Sequence, residues 1–484
     1  MSGRYVVQTF GCQMNVHDSD RMEETLRAHG WSPSDDVESA DLVVFNTCSV
    51  RERAEQKLRS EAGKLAPLKA RRPDLCVAVA GCVAQQEGEK ILARMPYVDI
   101  VIGPDNIAEL PALVLDHASG GVRVARTVFD LDAPRFLAAE PRGGEAPVSA
   151  FVTTMKGCDE RCSFCIVPTT RGPERYRPSS EIVAEVARWV AAGAREVTLL
   201  GQTVDSFRDP ELPPPASDDP DESQFPQLLR AIARDVPGLV RLRYTSPHPR
   251  HATASLVAAH RDLGVLARHV HMPVQSGSNR MLRRMIRRYT REEYVARVFA
   301  LRDARTSHGE PLTLSTDVIV GFPGETEEDF EATLSLIREV DFTQVFAFKY
   351  SPRPGTPALK LGDDVSEEEK SSRLARLFEL TEELGRAHLA RLVGTTQKVL
   401  LHGASKGKNG TFEGRTEQSF IVHVEVPEGL SPIGEVVEVT VDRAYKHSLA
   451  GSPTADALSR LRAVPPRKAP EKRRRLLPLA PEGH

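Results

Sequence analysis

The sequence predicts an α/β protein in three parts: a small parallel α/β domain, a partial or full (β/α) barrel, and a small antiparallel β-barrel. Three observations carry this. Short apolar strands alternate with charged amphipathic stretches up to about residue 125. Strand–helix units then repeat over about residues 149–376. From about 394 to 450 the pattern changes to short strands punctuated by glycine. At 484 residues the chain is too long for one ordinary core.

In the first part, residues 3–125, the strands are Tyr5–Phe10, Asp41–Phe45 and Cys76–Ala80, and the helical stretches are Ser19–His29 and Arg51–Leu68. A cysteine follows each strand: Gly11-Cys12, Thr47-Cys48 and Gly81-Cys82. Ligands of open α/β sheets bind beyond the carboxyl ends of the strands. These three thiols are therefore placed to converge, although they lie far apart in the chain. Packing as small hydrophobes is the alternative. Cys76 opens a strand and reads as a core thiol. Residues 126–148 are rich in Ala, Pro and Gly and read as a linker or strap.

The second part, residues 149–376, opens with the strand Ala150–Met155 and then Cys158-Asp-Glu-Arg-Cys162-Ser-Phe-Cys165. Three cysteines without a fourth nearby suggest an iron–sulfur cluster with one open iron. A zinc site completed by a distant cysteine or histidine fits the same trio. Phe164 is suited to cover a cluster or stack on an adenine, or simply to pack. Arg171, Arg175 and Arg177 suit anionic groups. Ser179 or Ser180 is the expected cap of the next helix. Further strands are Glu196–Leu200, ending in Gly201-Gln202, then Val240–Tyr244, Val270–Val274, Thr313–Val320 and Val345–Tyr350. Residues just after these strands would crown one mouth. Asp317 lies in an apolar strand and needs a partner. Residues 208–224 are acidic and proline-rich and read as a surface insertion without fixed structure. Residues 365–393 form a linking helix, and the barrel completes a third part, residues 377–450. A flexible basic tail, 451–484, ends the chain, with seven Lys/Arg against two Glu from Leu461 onward.

Net charge is -3, so nucleic-acid binding needs local patches. Arg280, Arg283, Arg284, Arg287 and Arg288 form one, ahead of Tyr289. Lys406, Lys408, Arg415 and Lys446 form another on the barrel, where Phe412 and Phe420 either stack on bases or fill the core. No apolar run reaches membrane-spanning length. The N-terminus lacks the apolar segment of a signal peptide, and seven cysteines, all within the first 165 residues, are odd and few for a disulfide scaffold. The chain reads as cytoplasmic.

Cys158-x3-Cys162-x2-Cys165 resembles the signature of the radical S-adenosylmethionine (SAM) enzymes. The wider pattern resembles their methylthiotransferase family over roughly residues 3–450. Gly11-Cys12-Gln-Met-Asn15, Asn46-Thr47-Cys48 and Gly81-Cys82-Val-Ala-Gln85 are similar to the N-terminal domain of that family. Thr170-Arg171-Gly172, Arg177-Pro178, Leu200-Gly201-Gln202, Ser246-Pro-His-Pro249, His271–Ser278, Asp317–Thr326 and Tyr350–Thr356 are similar to its radical core. The last barrel is similar to its TRAM domain, an RNA-binding module.

The resemblance implies two [4Fe-4S] clusters. Cys158, Cys162 and Cys165 would hold one whose open iron binds SAM and generates a 5′-deoxyadenosyl radical. Cys12, Cys48 and Cys82 would hold an auxiliary cluster that carries sulfur. Phe164, Gly201, Gln202, Ser246, His248, Gln275, Ser276 and Asp317 would lie against SAM. Within the family the motif wording is nearest the branch that methylthiolates carbon 2 of a prenylated adenosine at tRNA position 37. Siblings act on a ribosomal-protein aspartate or on threonylcarbamoyl-adenosine in tRNA, and a noncatalytic iron–sulfur RNA-binding protein is a further reading. An electron donor and a sulfur source are implied as partners, with the chain a monomer. The chain departs from the family at Thr203, where Asn is usual, and in the 208–224 insertion.

Overall fold

A computed structural model describes residues 3–49, 52–132, 134–137, 146–306, 311–405, 410–430 and 432–462. The first domain is a six-stranded parallel sheet in the order β2-β1-β3-β4-β5-β6. Its strands are β1 (Arg4–Phe10), β2 (Ser32–Pro33), β3 (Leu42–Thr47), β4 (Cys76–Gly81), β5 (Ile100–Ile102) and β6 (Val124–Arg126). β3 (LVVFNT) and β4 (CVAVAG) are buried along their whole length, as continuous apolar strands covered on both faces should be. Val43, Val77 and Val79 pack on one face, and Leu42, Val44 and Ala78 on the other. The first helix runs Gln13–Ala28 and starts six residues earlier than its apolar pattern suggests, because Cys12 and Asn15 cap it.

The central domain opens with β7 (Ser149–Thr153), followed by the antiparallel pair β8 (Met155–Lys156) and β9 (Arg175–Tyr176), which closes the base of the cysteine loop. Parallel strands follow: β10 (Glu196–Leu200), β11 (Arg241–Tyr244), β12 (His269–His271), β13 (Thr313–Val320) and β14 (Gln344–Lys349). They form two three-stranded sheets, β11-β10-β7 and β12-β13-β14, joined by a parallel bridge between Leu242 and Leu266. Among the described residues β7 and β14 are not paired, so this is a partial (β/α) barrel. Val152, Leu199, Leu242, Val270, Leu314 and Val318 belong to its core.

The insertion at 208–224 has no helix or strand but is fixed at both ends, contrary to expectation. Asp209 is buried and accepts the Ser179 N–H at 3.0 Å, so the helix Ser179–Ala191 has its acceptor in the insertion and not in Ser179 or Ser180. At the other end, Asp221 lies 2.7 Å from Arg250, and Glu222 accepts from Thr253. Acidic composition alone suggested disorder; here the carboxylates serve as caps and ion-pair partners.

The helix Glu367–Arg391 joins the last two domains. Its 25 residues span about 37 Å at 1.5 Å each. Lys349, at the end of β14, bonds Glu367 and Ser371 near the helix start, whereas Asp341, before β14, meets His388 and Arg391 near its end. The helix therefore runs from the carboxyl ends of the strands to their amino ends. There it delivers a closed barrel, β15-β16-β17-β19-β18. The strands are β15 (Thr396–Ala404), β16 (Thr411–Thr416), β17 (Ile421–Glu425), β18 (Val436–Ala444) and β19 (Leu449–Pro453). Four ladders are antiparallel, but β17 and β19 pair in parallel, so the barrel is not wholly antiparallel. The fold continues past residue 450: β19 and the helix Ala455–Leu461 complete it, with Ala457 and Leu461 in the barrel core. Residues 463–484, most of the expected tail, lie outside the described residues.

The barrel docks on the amino ends of the central strands. Arg241 and Arg243 donate to the carbonyls of Arg415 and Thr416, and Thr313 to that of Gln418. Val148, Leu400 and Ile433 form an apolar seam there, with Phe412 against it. At the centre is buried Glu196. Arg243 Nε lies 2.8 Å and Arg241 Nη1 3.4 Å from its Oε2, and His402 3.6 Å from its Oε1.

Candidate active site between two cysteine trios

All three N-terminal-domain cysteines stand at the carboxyl ends of adjacent strands. Cys12 follows β1, Cys48 follows β3 and Cys82 follows β4. The neighbouring motif residues shape these turns. Asn15 and Asn46 are fully buried and bond each other, Asn15 accepts the Cys12 N–H at 3.3 Å, and Cys48 N–H reaches the Phe10 carbonyl at 2.9 Å. Gly81 has φ +90°, and a Cβ there would sit 2.3 Å from Asn46 Oδ1. Cys12 and Cys48 hydrogen-bond each other, which more than any other effect pulls the Cys12 thiol down to about 6. Burial pushes Cys82 up.

The second trio lies in the loop after β8. Cys158 N–H bonds the Gly172 carbonyl (3.1 Å) and Cys165 N–H the Cys162 carbonyl (3.0 Å). Gly157 has φ +78°, and a Cβ on it would lie 1.9 Å from the Pro173 carbonyl oxygen. Cys158 and Cys162 are buried and Cys165 is half-buried. Burial raises the Cys158 thiol, and raises Cys165 to about 12. Thr203 places its hydroxyl 2.9 Å from Cys158 Sγ.

Arg171, six residues after the second trio, reaches a sulfur of the first. Arg171 ends the short helix Val167–Arg171 that follows Cys165. Its Nε lies 3.3 Å from Cys82 Sγ and its Nη2 2.6 Å from Asp18, on the helix that Cys12 caps. Arg175 and Arg177 are also committed within the protein: Arg175 to Asp105 and Asp130, Arg177 to Glu185 and Glu181. The anionic groups these three arginines meet are the protein's own carboxylates: Arg171 and Arg175 tie the central domain to the first domain and the strap, and Arg177 pairs within the central domain.

The residues expected against SAM divide. Gly201, Gln202, Ser246, His248 and Gln275 follow their strands at the mouth. Ser246 and Gln275 have φ of +58° and +75°, backbone strain of the kind found at functional sites. His248 is buried, its ring kept neutral by burial and then by Arg287. Asp317 finds its partner in His271, 3.4 Å away. Gly201 was expected to let a ligand approach; its missing Cβ instead makes room for Met155 Cγ, 2.8 Å from where that atom would be. Ser276 is a correction: fully buried, it accepts the Ser278 N–H and lies 3.4 Å from Thr333 on the outer helix. Phe164 packs against the apolar cluster of Met281, Met285, Phe322 and Tyr350.

Several side chains here were missed. Asp205 is fully buried, pushed up to about 7 by burial, and accepts the His248 N–H at 2.8 Å. Glu160, inside the cysteine loop, faces Arg250 and His251. An acid four residues past Gly201, just after an apolar strand, was the available signal for Asp205. Among the described residues, Glu160 Oε2, Gln202 Oε1, Asp205 Oδ2 and His248 Nε2 have no hydrogen-bond partner, nor do Thr47 Oγ1, Ser49 Oγ, Gln85 Oε1 and Gln86 Oε1 beside the first trio. Buried polar atoms are ordinarily paired. Thiol-only metal donors with polar atoms left over beside them fit clusters and a polar ligand. One further group of metal-binding type, Cys76, Asp99 and His117, occurs among the described residues; there Lys69 already bonds Asp99 at 2.7 Å and takes a cation's place.

The expected RNA contacts fare less well. Arg283 and Arg288 are exposed. Arg284 is half-buried and bonds the Pro323 carbonyl. Arg287 is buried, with Nη1 3.2 Å from Cys162 Sγ, and is no phosphate contact. Arg415 bonds Ser419 and faces the central domain, and exposed Lys446 pairs with Glu382 of the linking helix. Phe412 and Phe420 pack on the barrel core. Lys406 and Lys408 lie outside the described residues. A cleft of about 490 Å³ opens between Glu55, Arg59, Gln86 and Glu87 of the first domain and Ser351–Pro354 after β14.

The Radical SAM superfamily matches residues 152–337, which makes the central domain one of that class. The Uncharacterized protein family UPF0004 matches residues 4–103 and the TRAM domain residues 390–454. A tRNA-2-methylthio-N(6)-dimethylallyladenosine synthase of Sorangium cellulosum (strain So ce56) is 61% identical, with 99% of each chain covered. One of Geobacter sulfurreducens is 44% identical over 93% of this chain and 97% of the relative. The chain belongs to the family of tRNA-2-methylthio-N(6)-dimethylallyladenosine synthases. In fold it is similar to the radical S-adenosylmethionine methyltransferase TsrM from Kitasatospora setae (TM-score 0.50, 16% identity, 83% of this chain and 79% of that one). A [4Fe-4S] cluster and SAM go with the superfamily. No helix among the described residues is long and apolar enough to cross a membrane.

Proposed function

We propose that this chain inserts a methylthio group at carbon 2 of N6-dimethylallyl-adenosine at position 37 of tRNA. The observation that carries the reading is the contact of Arg171, six residues after Cys165, with Cys82 of the other trio, in a chain belonging to this family. On this reading Cys158, Cys162 and Cys165 hold one [4Fe-4S] cluster, and Cys12, Cys48 and Cys82 a second. Bound there, the clusters and SAM supply radical and sulfur chemistry that side chains lack. The work of this chain's residues is to bind, orient and shield. Gln202, Ser246, His248, Gln275 and Asp317 line the SAM side, with Asp205 and Glu160 offering carboxylates to an amino group. Thr203 fixes the Cys158 sulfur, and buried Asn15 and Asn46 hold the Cys12 and Cys48 turns. The cleft beside Gln86 and Arg353 admits a base, and exposed Arg283 and Arg288 meet phosphates. Residues 3–125 serve the auxiliary site, 126–148 act as a strap, 149–376 form the radical core, and the linking helix and barrel from 377 hold RNA. An electron donor and a sulfur source are external, and the chain acts as a cytoplasmic monomer.

Reconstituted protein with SAM, reductant and prenylated tRNA yields the 2-methylthio nucleoside, read by nucleoside mass spectrometry. Cys158→Ala abolishes SAM cleavage and leaves iron at the other trio. Product on a ribosomal-protein aspartate but none on tRNA overturns the assignment.

A further inference from the structure

Each trio has one sulfur that accepts a hydrogen bond from a buried arginine. Arg171 Nε lies 3.3 Å from Cys82 Sγ, and Arg287 Nη1 lies 3.2 Å from Cys162 Sγ. The guanidiniums are only 6% and 5% exposed. Each comes from outside the chain segment it serves: Arg171 from the loop of the second trio, Arg287 from beyond the helix Asn279–Arg284. Their remaining bonds differ. Arg171 Nη2 pairs with the Asp18 carboxylate at 2.6 Å, so much of its charge is balanced. Arg287 has uncharged acceptors, the Tyr289 hydroxyl (2.9 Å) and the Pro273 carbonyl (2.9 Å), and its charge faces Cys162 unbalanced.

We infer that Arg171 and Arg287 are positioning residues that set the reduction potentials of the two clusters, Arg287 more strongly than Arg171. The inference rests on the two-cluster reading above. Hydrogen bonds to the sulfurs and local charge are main determinants of cluster potential. One electron, supplied in the test by dithionite, takes a cluster from the 2+ to the 1+ state; no bond forms or breaks. The reduced cluster is the more negative, so a charge-assisted N–H···S bond favours it and raises the potential. In water-excluded surroundings that preference is weakly screened. Because Asp18 offsets Arg171, neutralising Asp18 has the opposite sign from removing Arg171.

The test uses the full chain in two backgrounds, each keeping one trio: Cys158→Ala/Cys162→Ala/Cys165→Ala and Cys12→Ala/Cys48→Ala/Cys82→Ala. Each is loaded with iron and sulfide and titrated with dithionite, reading the reduced cluster by electron paramagnetic resonance. In the first background R171M lowers the midpoint by about 59 mV, a tenfold change for a one-electron couple, and D18N raises it. In the second, R287M lowers it by more than that. R171K and R287K recover part of each shift. Unmoved midpoints in the methionine variants, or D18N moving the same way as R171M, overturn the inference. If a methionine variant holds no iron, the lysine variants and D18N decide by the same signs. If a background itself takes up no iron, the ligand assignment fails and the inference falls with it.

Discussion

Replacing Glu196 by Gln keeps the shape of the joint between central domain and barrel but removes the carboxylate that Arg241, Arg243 and His402 share. Glu196 is 4% exposed. Burial opposes its charge, yet His402, Arg243 and Arg241 together hold the carboxyl well below the usual range. Without that charge the mutual repulsion of Arg241, Arg243 and Arg415 is offset less, by Glu417 and Glu413. Breaking a buried pair by removing one partner costs about 3–5 kcal/mol. Arg243 and His402 keep 12% and 25% side-chain exposure, which water partly screens, so about 3 kcal/mol is the expected loss. It falls on the docking of the barrel, not on the cysteine turns at the other ends of the strands. Hydrogen exchange in E196Q should therefore accelerate along β15 and β16 and at Arg415–Ser419, with exchange at Cys12, Cys48 and Cys82 unchanged. Protection of the barrel within about 0.5 kcal/mol of wild type, the range of a neutral surface substitution, would refute the argument.

Gly157→Ala places a Cβ against the Pro173 carbonyl in a backbone with φ +78°. The left-handed conformation alone costs about 1–2 kcal/mol, and the clash forces the Cys158 loop to move; colorimetric iron analysis should show the iron content of the otherwise wild-type chain falling by about half, with the first trio still loaded, and that of the Cys82→Ala background falling to near nothing. Asp205 carries a pH dependence of definite sign. Burial raises its folded pKa to about 7, above the unfolded value, so the folded state binds the extra proton and stability falls as pH rises from about 4 to about 7. The full span is about 4 kcal/mol at 1.36 kcal/mol per unit; in D205N this part of the slope in urea-denaturation midpoints should vanish, and an unchanged slope rejects the role.

The positions of the six cysteines were legible because Cys12, Cys48 and Cys82 each follow an apolar strand and Cys158, Cys162 and Cys165 share one short loop. What the residues around them do was less so. Arg287 sits in a run of five arginines that reads as a charged helix face. The helix stops at Arg284, however, and Ile286 and Arg288 both take φ +56°, turning Arg287 inward to Cys162 while Arg288 stays in solvent. Composition carries no trace of such a reversal. Arg171 and Arg175 were legible as charges suited to anionic groups but not as domain stitching, because Asp18, Asp105 and Asp130 lie 45 to 153 residues away in sequence. The same distance hid the fixed ends of the 208–224 insertion. Ser276 and Gly201 were read from position after a strand, which locates the backbone but not what the side of the residue meets: Thr333 in one case, Met155 in the other.

The linking helix sets a length as well as a connection. It starts beside the carboxyl end of β14 and leaves the barrel at the amino ends of the strands. β13, with eight residues, spans about 26 Å at 3.3 Å per residue. An RNA that touches both the barrel and the cleft must bridge at least that distance around the outside of the core, as a folded stem and loop does and a free nucleoside does not. The molecule is in this sense a caliper. Its span is fixed by the 25-residue helix together with the docking of the barrel on the amino ends of the strands.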